Sequence, residues 1–465
     1  MPPVSLAAIL STARGALLAQ QKGVTVAAHN IANANTEGFS RQRVVMKPEV
    51  PLRTPDGYLG RGVIAPAPER VRDLFLDENF RAQSGQLGGF SQTRDALRQI
   101  EGAVNELGDA GIGEGIDQFF SAWGDLANLP TSGAARTQVL GAAAELSRRF
   151  RNAADALAET GRSVQERMDA AVRRMNTLTV EIRDLNRQIQ LVSSTGSAPD
   201  LEDARDRALD ELSRLANVRV SRYQDGSVGV VLGGVMVADA VVARQFTLRT
   251  EGAGFGVGLV GETGTLPIRA GELEALGRFT QATLPGLEAR LDTLVAAVVD
   301  EVNTRHAAGQ TGPGGTTPGE TGVFFFDSSP AGRTARGLAL SSAVQANPGD
   351  IVTGAGTAGD AGIALAISRL RTARLAIGGG APLTFGEYHA SFVTDLGVQA
   401  QAADRSVSAF QTLVEQVDNQ RASVKDVSID EEMVALVRYQ QAYAAAARIV
   451  TTADEMMDAV LQMVR

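Results

Sequence analysis

Few residues in this chain could do covalent chemistry. Cysteine is absent, which removes disulfides, thiol nucleophiles and cysteine-held metal together. The three histidines, His29, His306 and His389, lie far apart, and no H-E-x-x-H helix or calcium-loop pattern is present. His29 falls near the end of an apolar-periodic helix, where a local hydrogen bond is its expected role. His306 is expected to close a helix, where positive charge suits the last carbonyls. Gly354 to Gly359 matches G-x-G-x-x-G ahead of a helix. A dinucleotide fingerprint also needs a buried strand before it and a second parallel strand after it. Asp350 to Thr353 is too short and polar for the first, and Ala376 to Pro382 does not supply the second. The glycines therefore read as a flexible loop. Glu431, Glu432, Asp454 and Glu455 fall on helices that need a solvated face, and read as surface charge rather than an acid–base pair. No catalytic set, cofactor or metal is expected, and hence no enzyme.

Composition narrows the partners. With 44 basic and 53 acidic residues the net charge is −9 and there is no basic stripe, the wrong sign for nucleic-acid binding by counterion release. No apolar run approaches the roughly 18 residues of a spanning helix, so membrane insertion is not expected. Leu6 to Leu10 is interrupted by Ser11, Thr12 and Arg14 and has no basic lead, unlike a cleaved signal peptide.

The strongest pattern lies at the two ends. Leu6, Leu10, Ala13, Leu17, Gln20, Val24, Ala27 and Ile31 recur at alternating spacings of four and three, a heptad seam. Asn33, Asn35, Thr36 and Gly38 then favour turns over helix. Ile429, Met433, Leu436, Gln440, Tyr443, Ala447, Val450, Asp454, Met457, Leu461 and Val464 form a matching seam. Each seam carries a glutamine, Gln20 and Gln440, which favours one register at some cost in stability. Ile9, Leu18, Val437 and Val460 lie beside the seams and need further cover. The expected assembly interface is Leu10, Leu17, Gln20, Val24, Ile31, Leu436, Gln440, Tyr443, Val450 and Met457.

The run NIANANTEGFSRQ after the first seam resembles the N-terminal signature of the bacterial flagellar axial proteins, the rod, hook and hook-associated subunits. The closing run SIDEEMVALVRYQQAYAAAARIVTTADEMMDAVLQMV resembles the end segment of that family, and together the two cover about the first 45 and last 40 residues. Val302-Asn303-Thr304-Arg305-His306 ahead of a glycine-rich loop adds a looser likeness in the middle. The pairing of the two ends is most similar to the subunits at the junction of hook and filament. That resemblance implies a structural subunit of the extracellular flagellum, needed for filament assembly and exported by a type III apparatus without a cleaved signal peptide. It implies as partners copies of itself in an axial ring or helical layer, the hook protein, the next hook-associated protein, and an export chaperone on the C-terminal helix. A hook or distal-rod subunit is the alternative, although those usually carry mostly β middle domains. An axial protein with a hydrolase inserted at 217–383 is a third, and lacks the residues for it.

The expected fold is mainly α with a smaller β-rich part. Residues 1–42 and 428–465 form a terminal coiled-coil layer. Residues 43–216 and 271–427 form a long-helix bundle with a loop-rich segment at 307–383, and 217–270 form a small outer β module. Residues 43–68 read as extended, with Asp56-Gly57 as a hairpin turn. Gly85, Gly88 and Gly89 are expected to interrupt the helix that follows, and Gly108 to Gly115 to be a loop before a helix at 116–129. Leu146 to Val192 keeps heptad spacing with one slip and predicts a helix of about 70 Å. Asp225-Gly226 and Gly233-Gly234 read as tight turns, and 271–305 and 360–375 as helix. Phe392 to Val427 is a further heptad helix, and Ser428 with Glu431 predicts a capping box that restarts the chain in the last one.

Overall fold

The computed structural model describes residues 6–54, 57–104, 111–193, 196–252, 254–355 and 357–463. Helix α1 (Leu6–Asn33) is followed by β1 (Gln42–Arg43), β2 (Lys47–Pro48), β3 (Leu52–Thr54), β4 (Gly57–Leu59), β5 (Val63–Ile64) and β6 (Glu69–Arg70). β1 pairs with β6, β2 with β5 and β3 with β4, all antiparallel, so these strands make one long nested hairpin. Thr54 opposes Gly57, which puts the Asp-Gly signal at the hairpin tip; Pro55 and Asp56 lie outside the described residues.

Helix α2 (Leu74–Val104) runs through Gly85, Gly88 and Gly89 without the expected interruption. Its glycines have another use. A Cβ on Gly85 would stand 2.9 Å from the carbonyl oxygen of Ser213, and one on Gly89 would stand 3.1 Å from that of Gly271. Backbone from later in the chain therefore packs directly onto α2, and the helix accepts the entropic penalty of glycine for that approach. Leu107 and residues 108–110 of the expected 108–115 loop lie outside the described residues, and α3 (Ile112–Asn128) takes up the second half of that loop because Ile112 and Ile116 share one buried face.

The longest element, α4 (Gly133–Ser193), has 61 residues and is about 90 Å long. The heptad residues from Leu146 to Ile182 are buried along it, together with Ile189. The stripe extends further back through Ala135, Val139 and Ala143, which is why the helix starts earlier than its Leu146–Val192 seam predicts. Near its far end Asn186 is buried and Leu185 only half-buried. Helix α5 (Pro199–Leu215) turns back against α2 and α4.

The β part follows as a three-stranded sheet, β7 (Arg219–Arg222), β8 (Val228–Leu232) and β9 (Val235–Ala238), and a hairpin, β10 (Phe246–Glu251) and β11 (Gly254–Leu259). Both predicted turns are present, with Gly226, Gly233 and Gly234 all at positive φ. Val228, Val230, Phe246 and Val257 join the helices in one continuous apolar core. Helices α6 (Glu272–Arg278) and α7 (Leu284–Ala307) are joined through a wider π turn at Phe279–Thr283. The short α8 (Ser342–Ala346) and α9 (Gly362–Ser368) follow. The helix expected over 360–375 thus stops at Ser368 and passes into a 3-10 turn at Arg369–Arg371.

Helices α10 (Phe385–Lys425) and α11 (Ile429–Met463) complete the chain. A full capping box starts α10, formed by Thr384 and Glu387. At the start of α11 only half of the expected box forms. The Ser428 hydroxyl accepts from the Glu431 N–H at 3.5 Å, but the Glu431 carboxylate turns to Arg41, 2.9 Å away. A tertiary ion pair has taken the side chain that the local motif would use.

Phe119, Phe120 and Trp123 of α3 meet Phe325, Phe326 and Phe385 at the centre of the core. His306 packs edge-on beside them and is fully buried. Its Nδ1–H donates to the Val323 carbonyl at 2.7 Å, and its Nε2 accepts from the Val352 N–H at 2.8 Å. The ring is therefore neutral and ties the 307–352 loops to α7, instead of offering positive charge to a helix end. Burial, with a smaller contribution from Arg136, pushes its pKa down to about 4, against the bond to Val323. A histidine held neutral stabilises the fold fully above its unfolded pKa near 6.5 and loses that contribution as pH falls towards 4. The full swing is on the order of 3 kcal/mol. Denaturant titrations at pH 7 and pH 4.5 should show this loss. The variant His306→Gln should be less stable at neutral pH and lack the histidine part of the slope.

Candidate functional site: the terminal helix pair and its ionic joint

Helices α1 and α11 pack against each other in antiparallel sense, with Gly23 against Tyr439 and Asn30 against Glu432. Small residues line much of the buried face. Ala13, Ala19, Gly23 and Ala27 are buried on α1, and Ala446 and Ala453 on α11. A Cβ on Gly23 would come within 2.8 Å of the Tyr439 ring, so this glycine sets how closely the helices approach.

That contact stripe runs beside the heptad seams. Of the expected interface residues, Leu10, Leu17, Gln20, Val24, Ile31, Leu436 and Val450 are half-buried, while Gln440, Tyr443 and Met457 are exposed. Gln20 reaches the Met46 sulfur at 3.9 Å within the chain. Leu18, Met433, Val434, Val437, Ile449, Met456 and Leu461 are also exposed, each by 45 % or more. Val464 and the side chain of Val460 lie outside the described set. Pairing α1 with α11 therefore accounts for part of the apolar surface and leaves a wide band uncovered.

Several positions of the N-I-A-N-A-N-T-E-G-F-S-R-Q run have a structural task. Asn30 is buried; its amide N–H2 donates to the Gln42 carbonyl at 2.8 Å and to Glu432 at 3.0 Å, and its carbonyl accepts from the Gln42 N–H at 3.0 Å. It joins α1, β1 and α11 in one step. Asn33 donates to the His29 carbonyl at 3.0 Å, and His29 in turn meets Asp200 at 3.2 Å, so the histidine makes a long-range contact as well as the expected local one. Gly38 adopts φ of 75° against Arg207. Arg41 holds Glu432 at 2.7 Å and Glu431 at 2.9 Å. The two glutamates that read as surface charge are thus first-turn ligands for an arginine, and Glu432 is buried.

Below this lies a feature that the sequence reading missed. Arg70 and Arg72 at the base of the hairpin, Asp77 and Arg81 on α2, Asp203, Asp206 and Asp210 on α5, and Arg421 on α10 form one ionic cluster. Arg70 contacts Asp203 and Asp206, both at 2.8 Å. Arg72 contacts Asp77 at 2.7 Å and Asp206 at 2.9 Å. Arg81 reaches Asp210 at 2.6 Å, and Arg421 bridges Asp77 at 2.9 Å and Asp210 at 2.8 Å while lying over the Phe80 ring. Ser40 closes the link to the terminal layer by giving both its N–H and its hydroxyl to Asp203. Asp206 is 1 % exposed. Burial alone would raise its pKa, but Arg72, Arg70, Arg81 and Arg222 outweigh it and hold the carboxyl well below the usual carboxylate range. Chemically this is a balanced structural joint. Among the described residues no group of three His, Cys, Asp or Glu is arranged to hold a metal. The glycine motif leads from an isolated bridge at Ala355 into α9, with Asp360 accepting from the Ala355 and Gly362 N–H groups; Gly356 lies outside the described residues.

Paired terminal helices with an exposed apolar band, joined through a hairpin to a long-helix body, define the class of flagellar axial subunits. Comparison with known proteins agrees. Residues 10–39 match the family "Flagella basal body rod protein", 424–463 the "Flagellar basal body rod FlgEFG protein C-terminal" family, and 97–326 the "Flagellar hook-associated protein FlgK helical domain". Flagellar hook-associated protein 1 of Bacillus subtilis is 29 % identical over 97 % of this chain and 97 % of its own. The Escherichia coli protein of the same name is 22 % identical over 98 % of this chain and all of its own. The solved structure of the flagellar hook junction protein FlgK from Burkholderia pseudomallei superposes with a TM-score of 0.60 at 18 % identity, covering 75 % of this chain and all of that one. Over nearly its whole length the chain is similar to proteins named flagellar hook-associated protein 1.

The joint makes a sharp energetic statement. Removing one member of a buried ionic cluster strands its partners, typically at about 3–5 kcal/mol. Asp206→Asn should therefore lower the denaturant midpoint strongly. An exposed control, Asp454→Asn, should shift stability by less than about 0.5 kcal/mol.

Proposed function

We propose that this chain is a structural subunit of the flagellum that forms the junction layer between hook and filament and is required for filament assembly. The observation that carries the reading is the band of exposed apolar side chains along α11, from Met433 to Leu461, beside an intramolecular contact built of small residues. Such a band marks a surface that neighbours cover. The relatives that match over nearly their whole length bear the name of a hook-associated protein, and one solved relative is titled a hook junction protein.

In this reading residues 1–42 and 428–465 are the assembly layer, in which Leu10, Leu17, Gln20, Val24, Ile31, Leu436, Gln440, Tyr443, Val450 and Met457 meet copies of the same chain. Residues 43–216 and 271–427 are the body, and 217–270 a β module upon it. The hook protein lies on one side and the next hook-associated protein on the other, and a chaperone covers the C-terminal helix during export without a cleaved signal peptide. The work is mechanical: the ionic joint passes load between the assembly layer and the body, and no catalytic step is assigned.

Gold-labelled protein on intact flagella should appear by electron microscopy as one narrow band where hook meets filament. Label along the whole hook or in the rod would refute the junction assignment. The variant Met457→Asp should leave the stability of the isolated protein unchanged within about 0.5 kcal/mol, since the side chain is exposed, yet abolish filament growth. Normal filaments from that variant would contradict the proposed interface.

A further inference from the structure

The nested hairpin is larger than a link between two helices requires. From Lys47 to Arg61 every described side chain except Glu49 and Leu59 is exposed, with Val50 at 78 %, Tyr58 at 74 % and Leu52 at 54 %. Pro48 opposes Val63 and Leu52 opposes Leu59, and the alternation of a strand sets Val50 on that same face. Arg53 and Tyr58 pair on the other face. An isolated two-stranded hairpin is marginal in water, and open apolar strands invite a partner. Within the chain, the base of the hairpin packs on α1, where Gly15 lies against the Val63 carbonyl and Lys22 donates to the Ala65 carbonyl at 3.2 Å. Its outer half has no such support.

A complementary surface exists elsewhere on the chain. The C-terminal half of α11 exposes Ile449, Met456, Met457 and Leu461, interleaved with Asp454, Glu455 and Asp458. After Arg448 no basic residue follows until Arg465. Among the described residues these three carboxylates make no ion pair, and neither do Lys47 and Arg53 of the hairpin. The hairpin is thus apolar with unpaired cations, and the helix end apolar with unpaired anions.

We propose that the hairpin is a docking arm that lies on the C-terminal half of α11 of a neighbouring copy of this chain. Two different surfaces meet, so the contact is heterologous and propagates around a ring or along a helical layer. The inference rests on the axial reading and adds to it an occupant for the C-terminal part of the α11 seam and its flanks, with Lys47 and Arg53 facing Asp454, Glu455 and Asp458.

The chain has no cysteine, so single-cysteine variants report contacts without background. Cells should express Leu52→Cys and Met457→Cys together, and isolated flagella should be treated with a short bis-maleimide crosslinker. A covalent dimer of one copy of each is expected, several-fold above the yield from Leu191→Cys with Met457→Cys, Leu191 being exposed at the end of α4. In parallel, Arg53→Glu should impair filament growth, and Glu455→Arg should restore it. If both cysteine variants are present in the flagellum but crosslink no better than the control, the docking arm is wrong and the axial reading stands. If neither enters the flagellum although each is folded and produced, the axial reading falls and the docking arm with it.

Discussion

The structure depends on the need to neutralise Asp206. A carboxylate with 1 % exposure is unaffordable in isolation, and it is tolerated here because guanidinium groups converge on it from β6, α2 and the segment between them. Asp77 and Asp210 extend the same requirement to Arg421 on α10. Four stretches of chain separated by up to several hundred residues must therefore be in place together. Such a cluster adds little net stability, since apolar residues of equal volume often do as well, but losing one member strands the others. A joint between the terminal helix pair and a long-helix body is a position where a fixed geometry is useful.

A second device recurs along the chain. Four helix asparagines each clamp extended backbone by using the side-chain amide as though it were another peptide unit. Asn30 holds both the N–H and the C=O of Gln42, Asn176 those of Phe246, Asn186 those of Val228, and Asn303 those of Phe326. An amide offers one acceptor and a donor pair, which matches a free strand position. The clamps explain how short strands attach to long helices without a large sheet. They also satisfy backbone groups that burial would otherwise leave unpaired.

The terminal pair shows two uses of one helix. Small residues on one stripe let α1 and α11 approach closely, and larger apolar residues on adjoining stripes remain available. A helix buried on only one side within its own chain, and apolar on more than one, is suited to a polymer of identical subunits. The two ends of the chain are thus coupled before any neighbour arrives, and Arg41 with Glu431 and Glu432 locks the start of α11 to the turn after α1.

Periodicity was enough to read the long helices, the β turns at Gly226 and Gly233, and the hairpin around Asp56-Gly57, because each depends on local spacing and backbone preference. What it missed was decided by apposition. Arg70 and Arg72 stand two residues apart, and Asp203, Asp206 and Asp210 share a helix face at three-four spacing, yet only tertiary packing brings the two groups together. The glycines of α2 look like breaks in a sequence and prove to be contact points, since the chain that packs on them comes from more than a hundred residues away. Glu431 leaves its capping role for Arg41, and His306 is neutral because Val323 and Val352 occupy both ring nitrogens. By itself the sequence determined where the long helices run and that both ends are apolar-periodic helices. The tertiary structure alone decided which charges are buried and paired, because desolvation and Coulomb energy depend on distances that span the chain rather than on neighbours along it.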